Sequence, residues 1–455
     1  LYLSQTELSR LKEAQIFSLS RPLERRSKPR SSAAVEQLLR QGASHSRSHR
    51  SGLLTPSAQH PSAPRPGGVI WGRPAVLEAI INLLENLPVL PRLQSHTVML
   101  SFQGAENAFD DFPELQEQFI MALQGVLQRG WQVCHLWRLD EDVRRSILLV
   151  EEMLKLLGTG RYLPSYMRQY GTLAPPYDLL IVPKTAAMLL FATQNPRRDD
   201  AALLTHDPEQ IELLSTHFDQ LCALSQPLAR SYTSADRDAI WEALTEAESH
   251  PGGRMAVKDG LTFLTEPPAW YREDWPVLHS IGLSDPAQTR ILESQRRRRA
   301  AFHTHIPNSP YQDICPRHAI ERLVSGGETN RNDRMFGIHL TSEECREQLE
   351  YTLLLLKTHE HYQLALIDEE EEQAIPTEMF WEVAGASTVV LNTWATETHG
   401  KDVLVDVVIN EPTIAHAFHD YFEELWERIA PAHKDKAQVI AWLEQQLALL
   451  NAAVS

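Results

Sequence analysis

Apolar residues fall at helical spacing through 72–88 (GRPAVLEAIINLLENLP), and Pro88 ends the run. A short strand at 97–101 and a turn at Gln103-Gly104 come next. A helix over 112–129 follows, stopped by Gly130. Residues 131–136 read as a buried strand, and 142–157 as a helix that Gly158 and Gly160 terminate. Strands at 177–182, 188–192 and 201–205 precede a helix over 208–225. Residues 226–305 are less regular. They hold a helix at 234–248, a Gly-Gly turn, and a helix bearing Arg296–Arg299. A hairpin is expected there too, pairing 255–257 with 262–264 around Asp259-Gly260. A second alternating stretch begins near Pro310. It has helices at 316–325 and 342–358, and strands at 334–339, 363–367, 379–383, 388–392 and 403–409. Helices at 414–429 and 434–452 close the chain. Strands alternating with helices over short loops predict an α/β fold, with mixed or parallel sheets covered on both faces.

Within this pattern one unit recurs. Residues 203–221 (LLTHDPEQIELLSTHFDQL) overlay residues 407–425 (VVINEPTIAHAFHDYFEEL) at a constant offset. Each reads as a strand, an acid followed by proline (Asp207-Pro208, Glu411-Pro412), and an amphipathic helix ending in an aromatic-acid-x-Leu group. Upstream, Arg145, Leu156-Leu157 and Tyr162 match Arg346, Leu355-Leu356 and Tyr362. The expected organisation is a first lobe over 68–225, a bridging segment over 226–309, and a second lobe with its terminal helices over 310–455. Two similar lobes commonly build a site between them.

Residues 4–15 read as a short helix. Residues 20–67, rich in Ser, Arg, Pro and His, read as a disordered basic linker. Residues 1–67 carry eleven Lys and Arg against four Glu. The remainder carries 32 basic and 56 acidic side chains, so the net charge of −17 conceals an acidic body. Such a body is a poor direct partner for nucleic acid, because phosphate contacts need clustered Lys and Arg. The basic segment reads as a solvated tail. Cys134, Cys222, Cys315 and Cys345 lie far apart without C-x-x-C spacing, which argues against a zinc ribbon and a disulfide framework. Reduced thiols in a cytoplasmic protein are expected. No run of eighteen apolar residues occurs, so no transmembrane helix is expected. The chain opens at Leu1 without a signal peptide, and an upstream segment is expected.

The sharpest catalytic string is His399-Gly400-Lys401 followed by Asp406, an H-x-K-x(4)-D arrangement. It is the pattern of the phospholipase D superfamily, in which a histidine attacks phosphorus and a lysine neutralises phosphate oxygens. The equivalent first-lobe stretch, PRRDDAALL at 196–204, has no His-x-Lys, and Asn410-Glu411-Pro412 replaces the usual Gly-Ser-x-x-Asn. His303-x-His305 and His359-x-His361 lack a nearby carboxylate or cysteine set and read as structural. Arg296–Arg299 reads as a helix face paired with acids, and 368–372 as an acidic loop. Gly158-x-Gly160 is not a phosphate loop. His135, Arg138, Arg144 and Arg145 follow the strand at 131–136, at the end where open α/β sheets bind ligands. With their second-lobe counterparts His339 and Arg346 they are the candidate site for an anionic effector. Structural ion pairs with Asp140 and Glu141 are the competing reading. No catalytic residue, metal ligand or cofactor is assigned.

The stretches WGRPAVLEAIINLLE, GWQVCHLWRLDEDVRRS, LLGTGRYLPSYM, PPYDLLIVPKTAAMLLFA, AFHDYFEELW and DKAQVIAWLEQQL resemble the long C-terminal region of bacterial helix-turn-helix regulators of the Cro/C1 type. Phe418–Trp426 resembles the end of phospholipase D-like lobes in bacterial sensor domains. The resemblance covers roughly residues 68–450. It implies two tandem related α/β lobes of phospholipase D-like type, acting as a non-catalytic sensing or oligomerisation module. No helix-turn-helix is visible, so DNA would be reached only through a domain upstream. The partners expected are a small-molecule or anionic effector and a second copy of the chain, with no membrane. The alternatives are a phospholipase D-like phosphodiesterase and a protein-interaction scaffold.

Overall fold

The computed structural model describes residues 68–91, 96–101, 112–137, 139, 143–167, 177–191, 200–232, 236–250, 252–270, 285–327, 339–368, 371, 380–385, 387–396 and 402–454. The readings at 4–15, 20–67 and most of 334–339 lie outside them, as do His399, Lys401 and Arg138.

The first half runs β1 (Val69–Trp71), α1 (Arg73–Glu85), β2 (Thr97–Leu100), α2 (Pro113–Gln128), β3 (Gln132–Trp137), α3 (Val143–Leu157), β4 (Tyr162–Tyr166), β5 (Asp178–Val182), β6 (Ala186–Phe191), β7 (Ala201–Thr205) and α4 (Pro208–Cys222). The short β8 (Gln226–Pro227) then pairs back onto β4. The second half runs β9 (Arg230–Tyr232), α5 (Arg237–Ser249), β10 (Arg254–Val257), α6 (Asp285–His305), β11 (Tyr311–Pro316), α7 (Arg317–Gly326), α8 (Ser342–Thr358), β12 (Tyr362–Ile367), β13 (Phe380–Ala384), β14 (Thr388–Thr396), β15 (Asp402–Ile409), α9 (Pro412–Arg428), α10 (Pro431–Lys434) and α11 (Lys436–Val454).

These strands form two mixed sheets flanked by helices. Their orders are β1-β7-β6-β5-β2-β3-β4-β8 and β12-β11-β10-β13-β14-β15-β9. Reading the second from β9, the two sheets share one plan. In each, three strands run parallel in the middle and at one side (β2, β3, β4; β10, β11, β12). A meander of three antiparallel strands extends the other side (β5, β6, β7; β13, β14, β15). An antiparallel strand from the start of each half closes that edge (β1 on β7; β9 on β15).

Register makes the correspondence residue-specific. Leu180 pairs with Leu100 and Met188, as Glu382 pairs with Ala256 and Val390. Leu203 opposite Leu189 matches Val407 opposite Leu391, which is the overlay expected from the sequence. Asp207 and Glu411 cap α4 and α9, accepting from the amides of Glu209 and Ile414, and Pro208 and Pro412 open the helices. Phe218 and Phe422 are both fully buried.

The stretch read as a bridge therefore supplies β9, α5, β10 and α6 to the second sheet. The expected hairpin around Asp259-Gly260 is overturned. Arg254–Val257 lies between β11 and β13, and Phe263–Thr265 forms a 3-10 turn instead. The reason lies in burial. All four residues of β10 are buried, which suits a central strand and not an exposed two-stranded ribbon.

The junction between the halves is apolar. One continuous core cluster runs from α1, α2 and α3 through α9 to the face of the second sheet that bears Met255, Val257, Trp381 and Leu391. α9 packs on α3, and α11 covers α8 in the same way. Trp381 lies edge-on to Phe418 and Phe422, with ring centroids 5.1 and 6.0 Å away.

Candidate functional site

The polar residues gather on the opposite face of the second sheet, under α5 and α6. Strand alternation puts one residue from each of six neighbouring strands on this face. In spatial order they are Tyr362 (β12), Asp313 (β11), Arg254 (β10), Glu382 (β13), Asn392 (β14) and Asp406 (β15). Lys258 and Thr262 follow β10, while Glu248 comes from α5 and Arg298 from α6.

Arg254 is the hub. It donates through Nη1 to Asp313 Oδ1 at 2.7 Å, and through Nη2 to Glu382 Oε2 at 3.1 Å and Thr262 Oγ1 at 3.2 Å. Lys258 Nζ reaches Glu382 Oε2 at 2.9 Å, and the Tyr362 hydroxyl donates to Asp313 Oδ2 at 3.3 Å. Arg254, Asp313 and Glu382 are 3–5% exposed in their side chains, whereas Lys258 is 21% exposed and links the row to solvent. A second buried pair adjoins it. Arg298 grips Glu248 in bidentate fashion, Nε to Oε2 at 2.8 Å and Nη2 to Oε1 at 2.6 Å, and lies 5.3 Å over the Trp241 ring. Asn392 donates to Asp406.

Burial works against ionisation of Glu382, but Arg254, Lys258 and Arg298 outweigh it and hold the carboxyl below the usual range. Desolvation likewise opposes the charge on Arg254. Asp313, Glu382 and Glu248 outweigh it, so the guanidinium stays protonated. Burial pushes Glu248 up, against the attraction of Arg298. Burial pushes Asp406 up to about 6, against the Asn392 hydrogen bond and the charges of Lys258 and Arg298.

The first half has the same row with different chemistry. By register, Val98 stands for Arg254, Leu180 for Glu382, Leu190 for Asn392, Ala202 for Asp406 and His135 for Asp313. Tyr162 stands for Tyr362, and one contact is kept. His135 Nδ1 lies 2.7 Å from the Tyr162 hydroxyl, where Asp313 meets Tyr362 in the second half. Burial raises both tyrosines well above their ordinary value, so they serve as neutral hydrogen-bonding groups.

Of the residues singled out from sequence, His135 is buried in β3, 4.6 Å from the Trp137 ring centroid. Arg145 is buried in α3 and Arg144 is exposed on it. His339 is exposed just before α8. Arg346 is bound on the α8 surface by Glu343 and, at 3.2 Å, by Glu350. It stays charged through the Glu343 hydrogen bond and both carboxylates. The four-arginine run divides. Arg297 pairs with Glu242 at the surface, whereas Arg298 and Arg299 are buried. His303 Nε2 lies 3.1 Å from the Tyr351 hydroxyl, and burial lowers its pKa.

The row itself was not anticipated from sequence. Its signal is a charged residue flanked by apolar ones in a mostly apolar strand: Arg254 in RMAV, Asp313 in YQDICP, Glu382 in FWEVA, and Asp406 between Val405 and Val407 in DVLVDVVI.

Two further groups could offer donors to a metal. His416, His419 and Asp420 share the exposed side of α9. Asp368, Glu371 and His433 meet below β12, with Glu371 2.6 Å from His433 and bonded to the amide of Ala430. Chemically, the buried row can hold charge in fixed positions and bind or release a proton at Asp406.

No protein-family model matches the chain, and no curated protein sequence matches it. Loose likenesses exist among solved structures. An archaeal chromatin protein, TrmBL2, described as showing a novel mode of DNA binding, is 14% identical; the match covers 49% of this chain and 67% of that one, with a TM-score of 0.27. A phosphatidylserine synthase of Haemophilus influenzae is 8% identical over 84% of this chain and 92% of its own, at 0.26. Nuc, a phospholipase D family member of Salmonella typhimurium, is 9% identical over 44% and 94%, at 0.21. Similarities this loose carry no argument about activity, so the reading of the site rests on its own geometry.

Proposed function

We propose that this chain is a non-catalytic effector-sensing and oligomerisation region of a bacterial transcription regulator, built by internal duplication of one α/β lobe. The observation that carries the non-catalytic part is the mismatch between the two rows. A two-lobed phosphodiesterase of the His-x-Lys type needs equivalent polar sets from both lobes. Here Asp406, the acid of the single His-x-Lys-x(4)-Asp string, lies in the second-half row, and its register counterpart in the first half is Ala202. The second-half charges are already paired with one another, an arrangement that suits a fixed scaffold better than turnover.

On this reading the effector is a small anion and DNA is contacted only by a domain upstream. The residues proposed for the effector are His135, Arg138, Arg144, Arg145, His339 and Arg346. The chain acts in the cytoplasm as a homodimer. The test is hydrolysis of bis(p-nitrophenyl) phosphate by the purified chain and by His399→Ala. Neither should show turnover. Activity in the parent that vanishes in the variant would replace this reading with a phospholipase D-like phosphodiesterase.

A further inference from the structure

One pair of reactive groups is used by neither the fold's ionic row nor the proposed sensing role. Cys134 lies in β3, in the interior of the first sheet, and Cys222 is the last residue of α4. They are 88 residues apart in sequence, yet their sulfurs are 3.6 Å apart. Both are half-buried free thiols, whereas Cys315 and Cys345 are buried. The α4 face of the sheet brings them together. Phe218 and Leu221 anchor the last turn of α4 in the apolar cluster that Cys134 and Cys222 flank.

A disulfide needs sulfurs about 2.05 Å apart. Closing the gap takes roughly 1.5 Å, within reach of side-chain rotation at a helix end. The second half has no such pair. Gln312 and Trp426 stand at the corresponding positions.

We propose that Cys134 and Cys222 are a peroxide-responsive modification site that closes reversibly to a disulfide tying the end of α4 to β3. Cys134 is the attacking group and Cys222 the resolving one. The sulfur–sulfur contact with Cys222 lowers the Cys134 thiol, against burial and the nearby Asp219 carboxylate, while the same contact and burial raise Cys222. The Cys134 thiolate attacks one oxygen of hydrogen peroxide. The O–O bond breaks, hydroxide leaves and takes the thiol's proton as water, and Cys134 becomes a sulfenic acid. Cys222 then attacks the Cys134 sulfur. The S–O bond breaks, a second water leaves, and the S–S bond forms. In total two thiols are oxidised by two electrons and one peroxide is reduced to two waters. A dithiol reductant reverses the change by exchange.

The test treats the full chain with hydrogen peroxide, then counts thiols after denaturation and maps peptides without reduction. The free-thiol count should fall from four to two, with one Cys134–Cys222 linked peptide that dithiothreitol removes. Cys222→Ser should stop at a sulfenic acid on Cys134 that dimedone traps, and Cys134→Ser should leave Cys222 unlabelled. An unchanged count of four, a bridge to another cysteine, or a bridge between two chains would overturn the proposal. Dimedone labelling at Cys222 in place of Cys134 would overturn the order of attack.

Discussion

Replacing Arg254 by valine removes the hub of the buried row and installs the residue that the first half carries at the same register position, Val98. Two carboxylates then lose their shared cation while still nine-tenths or more buried, since Asp313 and Glu382 are only 4% and 3% exposed. Asp313 keeps the Tyr362 hydroxyl and Glu382 keeps Lys258, so neither is stranded completely. Breaking a buried pair by removing one partner costs about 3–5 kcal/mol. The same charges together give little net stability, because desolvation offsets their attraction. Removing a second member should therefore recover part of the loss. The double variant Arg254→Val/Glu382→Leu copies Val98 and Leu180 and leaves no unpaired carboxylate on β13. It should regain about 1–2 kcal/mol over the single variant. Equilibrium urea unfolding at neutral pH measures both, provided the slope with denaturant stays that of the parent. A single variant costing less than about 1 kcal/mol would refute the hub. A double variant whose loss equals the sum of the two single losses would refute the equivalence of the rows.

Asp406 gives a pH test. Its carboxyl is held at about 6, above the ordinary 3.8, so the folded chain keeps a proton that the unfolded chain releases between those values. Stability should fall as pH rises through that window, by about 2 kcal/mol after discounting its partial exposure. Asp406→Asn should flatten the slope in urea midpoints taken from pH 4 to 7, and an unchanged slope would remove Asp406 as its source. Phe218→Ala and Phe422→Ala should each cost about 3–5 kcal/mol, because both rings are fully buried at matching positions; a loss below about 1 kcal/mol at either would break the parallel.

What the sequence discloses here follows from the distance over which each constraint acts. The strand-acid-Pro-helix unit is local. In each half the cap carboxylate (Asp207, Glu411), the proline after it and the buried phenylalanine (Phe218, Phe422) belong to one strand-turn-helix segment, so their common spacing survives in the text of the chain. Sheet order is not local. β10 reads as half of a hairpin because Asp259-Gly260 is a turn signal, and only its pairing with β11 and β13 reveals it as a central strand. The ionic row is the extreme case. Its members are drawn from residues 248 to 406, and each has an ordinary identity when taken alone. The charges become meaningful when the register places Arg254 between Asp313 and Glu382 and leaves Val98 and Leu180 in the same places of the first half. A repeated fold thus supplies its own control. Because the first half carries Val98, Leu180 and Ala202 where the second carries Arg254, Glu382 and Asp406, the fold does not require the charges at those positions. They stand as a departure from the common plan, confined to the half that also carries the only His-x-Lys-x(4)-Asp string, and any role they have belongs to that half alone.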